Sequence, residues 1–172
     1  MTTVSTARLT KYLQVVIYAF TYITPSTPTL NKLCSYRTAT APCDIYINGN
    51  TIAVADLMKS VSIVEYRYDS ERAVHILREV ARHQQVAWGT AVAEVDDNTY
   101  LGSDSEGNLI VLRREIDGAT EDDRKRLHVT SDIYLGEMVN RIRRVDVVPT
   151  EEAVVIPTAF LATVSVLTIA CP

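Results

Sequence analysis

The chain has 172 residues, of which 47% are hydrophobic and 22% are charged, and its formal net charge is −4. A chain of this size buries roughly two thirds of its unfolded surface on folding, and its six glycines and six prolines exclude a collagen-like, low-complexity or disordered class. The acidic balance gives no general attraction to phosphate, so any nucleic-acid binding needs a local basic patch or a partner protein.

Short runs rich in β-branched and aromatic residues predict strands along the chain. In chain order, they are Leu13–Tyr22, Asp44–Ile47, Thr51–Ala55, Val61–Tyr68, Ala91–Val95, Leu109–Leu112 and Val154–Ile156. Turn-forming residues between the runs predict hairpins at Asn48-Gly49-Asn50, Asp96-Asp97-Asn98, Glu106-Gly107-Asn108 and Asp117-Gly118. One short surface helix is expected at Thr120–His128, because Thr120 and Asp123 form a capping-box pattern.

A repeat of 48 residues relates these predicted strands. Sliding the chain by 48 residues aligns Thr51-Ile52 with Thr99-Tyr100 and Asp56 with Asp104 without a gap. A partial further copy begins near Val154 if one residue is inserted. A period in the forties filled with short antiparallel strands is typical of four-stranded β-propeller blades.

The repeat therefore predicts an all-β fold, a WD40-like partial β-propeller of about three and a half blades with one short surface helix. A blade has two apolar faces and buries them only against neighbouring blades. We therefore expect residues 1–172 to be an incomplete propeller, a fragment of a larger multi-propeller protein.

Catalytic and metal-binding patterns are absent from the sequence. None of the three histidines lies at zinc-site spacing with cysteine partners, and no glycine-rich phosphate loop occurs. Asp96-Asp97 leads into a turn rather than forming an acid/base pair, and Cys34 and Cys43 are expected to be small strand hydrophobes. Neither an enzyme, a metal nor a cofactor is therefore predicted. An odd number of cysteines without a CxxC pair favours a reducing compartment.

The segment Ala153–Pro172 carries no charge and is long enough for a membrane span. Its β-branched bias and its four hydroxyl side chains favour two blade strands joined at Phe160–Ala162. We therefore expect no membrane association, with a tail anchor as the alternative.

Four motifs resemble the third propeller of the DNA damage-binding protein 1 family. They are Asp56–Val61, Trp88–Val92, Asp96–Gly102 and Tyr134–Asn140, in the same order and spacing as in that family. The acidic and basic segment Ala119–Leu127 is also similar to the family's helical insert, and the resemblance covers about Leu30–Thr163. The large subunit of the cleavage and polyadenylation specificity factor and the propeller subunit of splicing factor 3b share this architecture.

The resemblance implies a non-enzymatic interaction scaffold, similar to the receptor-binding propeller of the damage-binding adaptor of a cullin-type E3 ubiquitin ligase. Such a protein acts in DNA repair and protein ubiquitination, in the nucleus and also in the cytoplasm. The implied partners are substrate-receptor proteins and the rest of the protein's own multi-propeller chain, with nucleic acid contacted mainly through partners. The alternative is a nucleic-acid-associated propeller subunit of a polyadenylation or splicing complex.

Equivalent turns of successive blades project to the same side of a propeller. We therefore expect partner contacts on one rim, at Leu57, Met58, Lys59, Ser105 and Glu106, with Arg141 and Arg143 as further rim candidates.

Three further features have both a structural and a functional interpretation. Asp56 and Asp104 share one position of the repeat and are expected to accept backbone N–H bonds in turns, with partner contact as the alternative. Trp88 is expected to pack between blades, with a rim anchor as the alternative. Arg141 and Arg143 share a strand face, which is either a solvated edge or a patch that binds acidic side chains or nucleic-acid phosphates.

Overall fold

A computed structural model describes residues 5–10, 13–24, 27–146 and 158–164, and side-chain surroundings for residues 13–19 and 29–143. In these ranges the strands are, in chain order, β1 (Ser5–Thr10), β2 (Gln14–Thr24), β3 (Thr27–Arg37), β4 (Pro42–Asn48), β5 (Thr51–Asp56), β6 (Ser60–Asp69), β7 (Val74–His83), β8 (Gly89–Asp96), β9 (Thr99–Asp104), β10 (Asn108–Arg114), β11 (Arg126–Tyr134), β12 (Val139–Asp146) and β13 (Thr158–Val164). A single described helix, α1 (Glu121–Arg124), lies between β10 and β11.

The strands form antiparallel units in chain order. We number them blade I (β1 to β3), blade II (β4 to β7), blade III (β8 to β11) and blade IV (β12 and β13). The 48-residue repeat places Thr51–Asp56 over Thr99–Asp104, and these ranges are β5 and β9. The predicted all-β partial propeller is therefore confirmed.

The blades stand side by side in a fixed orientation. β8 lies against β4 and β12, whereas β3 lies against β7, so first strands of successive blades gather at one side and last strands at the other. The outer strands β7 and β11 also pair in parallel, with Arg82 opposite Arg126 and His83 opposite Leu127. This short pairing joins blades II and III into one eight-stranded sheet.

Each boundary between blades has its own apolar core. The core between blades I and II consists of Val15, Ile17, Ile52, Val54 and Val64. The core between blades II and III is the largest of the three and consists of Ala53, Ala55, Val61, Ile63, Ala81, Val92, Tyr100, Leu112 and Leu127. The core between blades III and IV consists of Ala91, Ala93, Leu101, Val139 and Ile142. Successive side chains of a strand point to opposite faces, so Ile52 and Val54 face blade I while Ala53 and Ala55 face blade III. Burial of both faces explains why β5 is apolar without interruption.

The helix is shorter than its sequence pattern predicts. Only Glu121–Arg124 is helical, and Arg126–His128 belong to β11 instead. Leu127 is buried in the core between blades II and III, so packing overrides the local helix signal there. The capping box is confirmed, because the Thr120 hydroxyl accepts from the Asp123 N–H at 3.1 Å and the Asp123 carboxylate accepts from the Thr120 N–H at 3.2 Å.

The predicted turns have different outcomes. Those at Asn48–Asn50, Asp96–Asn98 and Glu106–Asn108 join antiparallel neighbours, so the hairpin predictions there are confirmed. Asp117-Gly118 lies in the longer connection between β10 and β11, which also contains α1. These two strands are antiparallel neighbours, so the predicted chain reversal is confirmed there, although the connection is not a tight turn.

The C-terminal strand β13 pairs with β12 along its length, with Phe160 opposite Arg144 and Ala162 opposite Ile142. The predicted turn at Phe160–Ala162 is therefore wrong, and the segment indeed lacks the Gly, Asn or Pro that such a turn uses. Val154–Ile156 and residues 165–172 lie outside the described residues, so their strands and the tail-anchor alternative stay predictions. Among the described residues, no helix has the length and apolar character needed to cross a membrane.

Candidate partner-binding rim

Four connecting segments lie at the same end of the blades and form what we call the rim. They are the β5–β6 turn (57–59), the β7–β8 loop (84–88), the β9–β10 turn (105–107) and the β11–β12 loop (135–138). Backbone hydrogen bonds link each segment to the next: Ser60 N–H donates to Ala87 O at 3.0 Å, Ser105 N–H to Trp88 O at 2.9 Å and Leu135 N–H to Gly107 O at 2.8 Å. The rim is therefore one connected surface that crosses two blade boundaries.

Two glycines allow the rim segments to approach each other closely. Gly107 has φ +89°, and a Cβ there would lie 2.9 Å from Glu137 N. A Cβ on Gly89 would lie 3.0 Å from Asp56 O. Side chains at these positions would push the segments apart, so the rim depends on both glycines.

Two carboxylates fix the rim turns. Asp56 is buried and accepts hydrogen bonds from the backbone N–H groups of Thr40 at 2.8 Å and Met58 at 3.2 Å, and from the Thr40 hydroxyl. Asp104 accepts from the backbone N–H groups of Glu106 at 3.0 Å and Asn108 at 2.9 Å. The prediction that these equivalent aspartates accept backbone N–H bonds is confirmed.

Large apolar side chains are exposed along the rim. They are Leu57, Met58, Val86, Trp88, Leu135 and Met138. Trp88 is 56% exposed, so the expectation that it packs between blades is wrong. The core between blades II and III is made by strand residues such as Ile63, Tyr100 and Leu112, whereas Trp88 lies in the loop before β8.

The structure brings the predicted rim residues onto this surface. Leu57, Met58 and Lys59 are exposed in the β5–β6 turn, and Ser105 and Glu106 lie in the equivalent β9–β10 turn. Sequence reasoning did not select Val86, Leu135 or Met138. The sequence signal for these three residues was that each is a large apolar residue in a predicted loop, where no strand pattern would bury it.

The two predicted arginines lie on β12, the strand that begins directly after the β11–β12 loop of the rim. Arg141 and Arg143 are exposed on either side of the buried Ile142, so the shared face is confirmed. The guanidinium of Arg141 lies 3.9 Å from a carboxylate oxygen of Asp44 on β4. Burial raises the pKa of Asp44, while the N–H of Val92 and both arginines act in the opposite direction.

The structure also shows a serine–histidine contact that sequence reasoning did not select. The Ser60 hydroxyl lies 2.8 Å from His83 Nδ1, and both residues are buried. Desolvation lowers the pKa of His83, which favours the neutral ring. The contact joins the start of β6 to the end of β7 within blade II.

The described part of the chain also contains candidate metal ligands and cysteines. No group of three His, Cys, Asp or Glu side chains with metal-ligand geometry occurs there. Cys34 packs against the core between blades I and II, as expected of a small hydrophobe, and burial raises the pKa of its thiol. Cys43 is exposed on β4, so the same expectation is wrong there.

Comparison with known proteins agrees with this architecture. The family model for the CPSF A subunit region matches residues 13–166. The chain belongs to this family. Within the CPSF A subunit region family, its relatives include DNA damage-binding protein 1 of Oryza sativa subsp. japonica, 36% identical over 120 residues, and DNA damage-binding protein 1a of Arabidopsis thaliana, 35% identical over 139 residues. DNA damage-binding protein 1 of Schizosaccharomyces pombe is 33% identical over 137 residues.

These matches confirm the resemblance to the DNA damage-binding protein 1 family. They cover 68% of this chain for the rice relative and 79% for the other two. The matched region spans only 11% to 12% of the length of these relatives.

Proposed function

We propose that this chain is a non-enzymatic interaction scaffold whose rim binds substrate-receptor proteins of a cullin-type E3 ubiquitin ligase linked to DNA repair. One observation carries the proposal: six large apolar side chains are exposed on a surface whose segments are joined by backbone hydrogen bonds. Membership of the CPSF A subunit region family and similarity to DNA damage-binding protein 1 support it.

The rim has the physical properties of a binding surface. Trp and Met side chains give large contact areas, and a tryptophan near the centre of an interface often carries much of the binding energy. A surface that is already ordered loses little conformational entropy on binding. Lys59 and Glu106 flank the apolar side chains and supply a polar border.

The same proposal includes a cellular setting. The other expected partner is the rest of the chain's own multi-propeller protein, and nucleic acid is contacted mainly through partners. The nucleus is the main compartment, with a further pool in the cytoplasm.

A second candidate function is a propeller subunit of a polyadenylation or splicing complex. The match to the CPSF A subunit region family favours this function only weakly. Arg141 and Arg143 offer two exposed positive charges to a nucleic-acid backbone, but two charges give weak and salt-sensitive binding.

Affinity purification of the tagged full chain separates these functions. We expect recovery of cullin and substrate-receptor subunits, and at least a tenfold loss when Trp88→Ala and Met58→Ala are combined. Ile47→Ala is the matched control, because Ile47 is also exposed but lies on β4 opposite Ile52, at the end of the blade opposite to Leu57. Recovery of polyadenylation or splicing subunits instead would contradict the proposal, as would unchanged recovery with the double variant.

A further inference from the structure

A second candidate site lies between blades II and III, formed by β7, the end of β10 and the α1 segment rather than by the rim. It is a cleft of about 210 Å³ lined by Arg78, Glu79, Val80, Arg114, Ile116, Glu121, Arg124 and Lys125. Four of these residues are cationic and two are acidic, although the whole chain has a net charge of −4. The residues that line the cleft therefore carry a net positive charge, whereas the chain as a whole is acidic.

The two acidic residues do not neutralise the cleft. The Glu79 carboxylate binds the Tyr36 hydroxyl of blade I and accepts from Arg82 at 2.6 Å, so it is directed away from blade III. Glu121 is paired with Lys125, the C-cap residue of its own helix. Arg78, Arg114 and Arg124 form no ion pair with any carboxylate of residues 29–143. Three guanidinium groups consequently keep their charge uncompensated by a direct partner.

Backbone carbonyls hold two of these guanidinium groups in place. Arg114 Nε donates to Arg124 O at 3.3 Å, and Arg124 Nη1 donates to Gly118 O at 2.9 Å. A guanidinium has five N–H donors, so one such bond leaves most of its donors for a ligand. Side chains that are already oriented bind an anion with a smaller loss of conformational entropy.

Arg78 belongs to the same electrostatic site although it lies on the other blade. The pKa of Glu121 is lowered, chiefly by the hydrogen bond and charge of Lys125, with smaller contributions from Arg124 and Arg78. Arg78 on β7 therefore acts across the blade boundary on the α1 segment. An anion bound between them would contact both blades.

We propose that this cleft binds a phosphate group, carried by a phosphate monoester or a small polyphosphate. A phosphate dianion offers several oxygens to several guanidinium forks, whereas a single carboxylate satisfies one fork. A liquid water occupies about 30 Å³, so the cleft has room for a phosphate group and a few waters. The inference is independent of the rim and of its partners.

Isothermal titration calorimetry of the full 172-residue chain tests the proposal at fixed ionic strength. The probes are pyrophosphate and O-phosphoserine, which represent a free polyphosphate and a phosphorylated side chain. We expect saturable binding that weakens at least tenfold in Arg78→Ala and in Arg114→Ala. Arg72→Ala is the matched control, because this exposed arginine follows β6 in the same hairpin as Arg78 but is not part of the cleft. Circular dichroism verifies that each variant is folded.

Each outcome has a defined meaning. Binding of both probes supports recognition of the phosphate group itself, and binding of one probe supports the site and identifies the source it prefers. Absence of saturable binding of both probes at millimolar concentration would overturn the proposal. So would a loss in Arg72→Ala equal to that in Arg78→Ala, because binding would then reflect only diffuse surface charge.

Discussion

Gly107 is the residue at which two segments of the rim meet, and it is conformationally special in two ways. Its φ is +89°, and a Cβ would lie 2.9 Å from Glu137 N. We predict that Gly107→Ala lowers the free energy of unfolding by about 2–4 kcal/mol, from left-handed strain plus the clash. Urea denaturation followed by circular dichroism measures the change.

Gly49→Ala separates these two effects. Gly49 also has a positive φ, +54°, but a Cβ there would contact nothing within 4 Å. This control should lose only about 1 kcal/mol, the cost of the left-handed backbone. Equal losses in the two variants would show that the contact between the rim segments contributes nothing.

His83 makes stability depend on pH. Burial lowers the pKa of His83 in the folded chain, so the unfolded chain binds a proton first as the pH falls below about 6.5. Stability from this group is therefore complete above the unfolded pKa and is lost as the pH falls towards the folded pKa. We predict that the free energy of unfolding decreases between about pH 7.5 and about pH 5.5.

The matched variant for this effect is His83→Gln, because glutamine keeps a polar partner for the Ser60 hydroxyl and does not titrate. Its pH dependence over the same range should be shallower than that of the unsubstituted chain. Parallel pH profiles for the two chains would contradict the assignment, whatever the absolute stability of the variant.

At the scale of elements, Asp56 connects β5 to two segments outside its own strand. Its carboxylate accepts from backbone N–H groups of Thr40 and Met58, and it is buried. We predict that Asp56→Ala lowers the free energy of unfolding by about 2–4 kcal/mol, because these two backbone donors and the Thr40 hydroxyl lose a charged acceptor. Chemical denaturation of the variant gives this value.

The repeat supplies the comparison for this prediction. Asp104 binds only residues of its own turn, Glu106 and Asn108, and it is less buried than Asp56. Water can replace an exposed acceptor, so Asp104→Ala should cost about half as much or less. A larger loss in Asp104→Ala than in Asp56→Ala would contradict the account of the two turns.

Several elements could be predicted from local chemistry alone. The turn residues Gly49 and Asn98 take positive φ values of 54° and 72°, and these conformations are the reason such residues predict hairpins. The sequence did not predict the outer strand β7. Exposed positions alternate along much of this strand, and charged residues such as Arg78 occupy some of them, so no continuous apolar run marks it. The residues at the end of the predicted helix became a strand because Leu127 is buried against blade II, which depends on residues far away in sequence.

The candidate site was only partly predictable for the same reason. The 48-residue repeat placed Leu57 and Ser105 in equivalent turns, and the structure confirms that equivalence. The contribution of Val86 and Leu135 required knowing which loops the blade packing brings together. The exposure of Trp88 likewise depends on the space left by the neighbouring core, which no local pattern records.

At the scale of the whole molecule, packing between blades determines both stability and the position of the rim. Three apolar cores lie between successive blades, and a polar contact of Tyr36 with Glu79 and Arg82 joins blades I and II. Burial and, to a smaller extent, the hydrogen bond to Glu79 and its charge raise the pKa of Tyr36 to about 12. The phenol therefore stays protonated at physiological pH and donates its hydrogen bond to Glu79. Segments that are distant in sequence are thereby held together on one surface.

Hydrogen exchange on the chain in complex with a recovered substrate receptor tests the central claim most directly. We predict that receptor binding slows amide exchange at residues 57–59, 86–88 and 135–138, because the partner covers the rim. Exchange at 48–50 and 97–98, the turns at the opposite ends of β5 and β9, should stay unchanged. Protection confined to those opposite turns, with no change on the rim, would contradict the account.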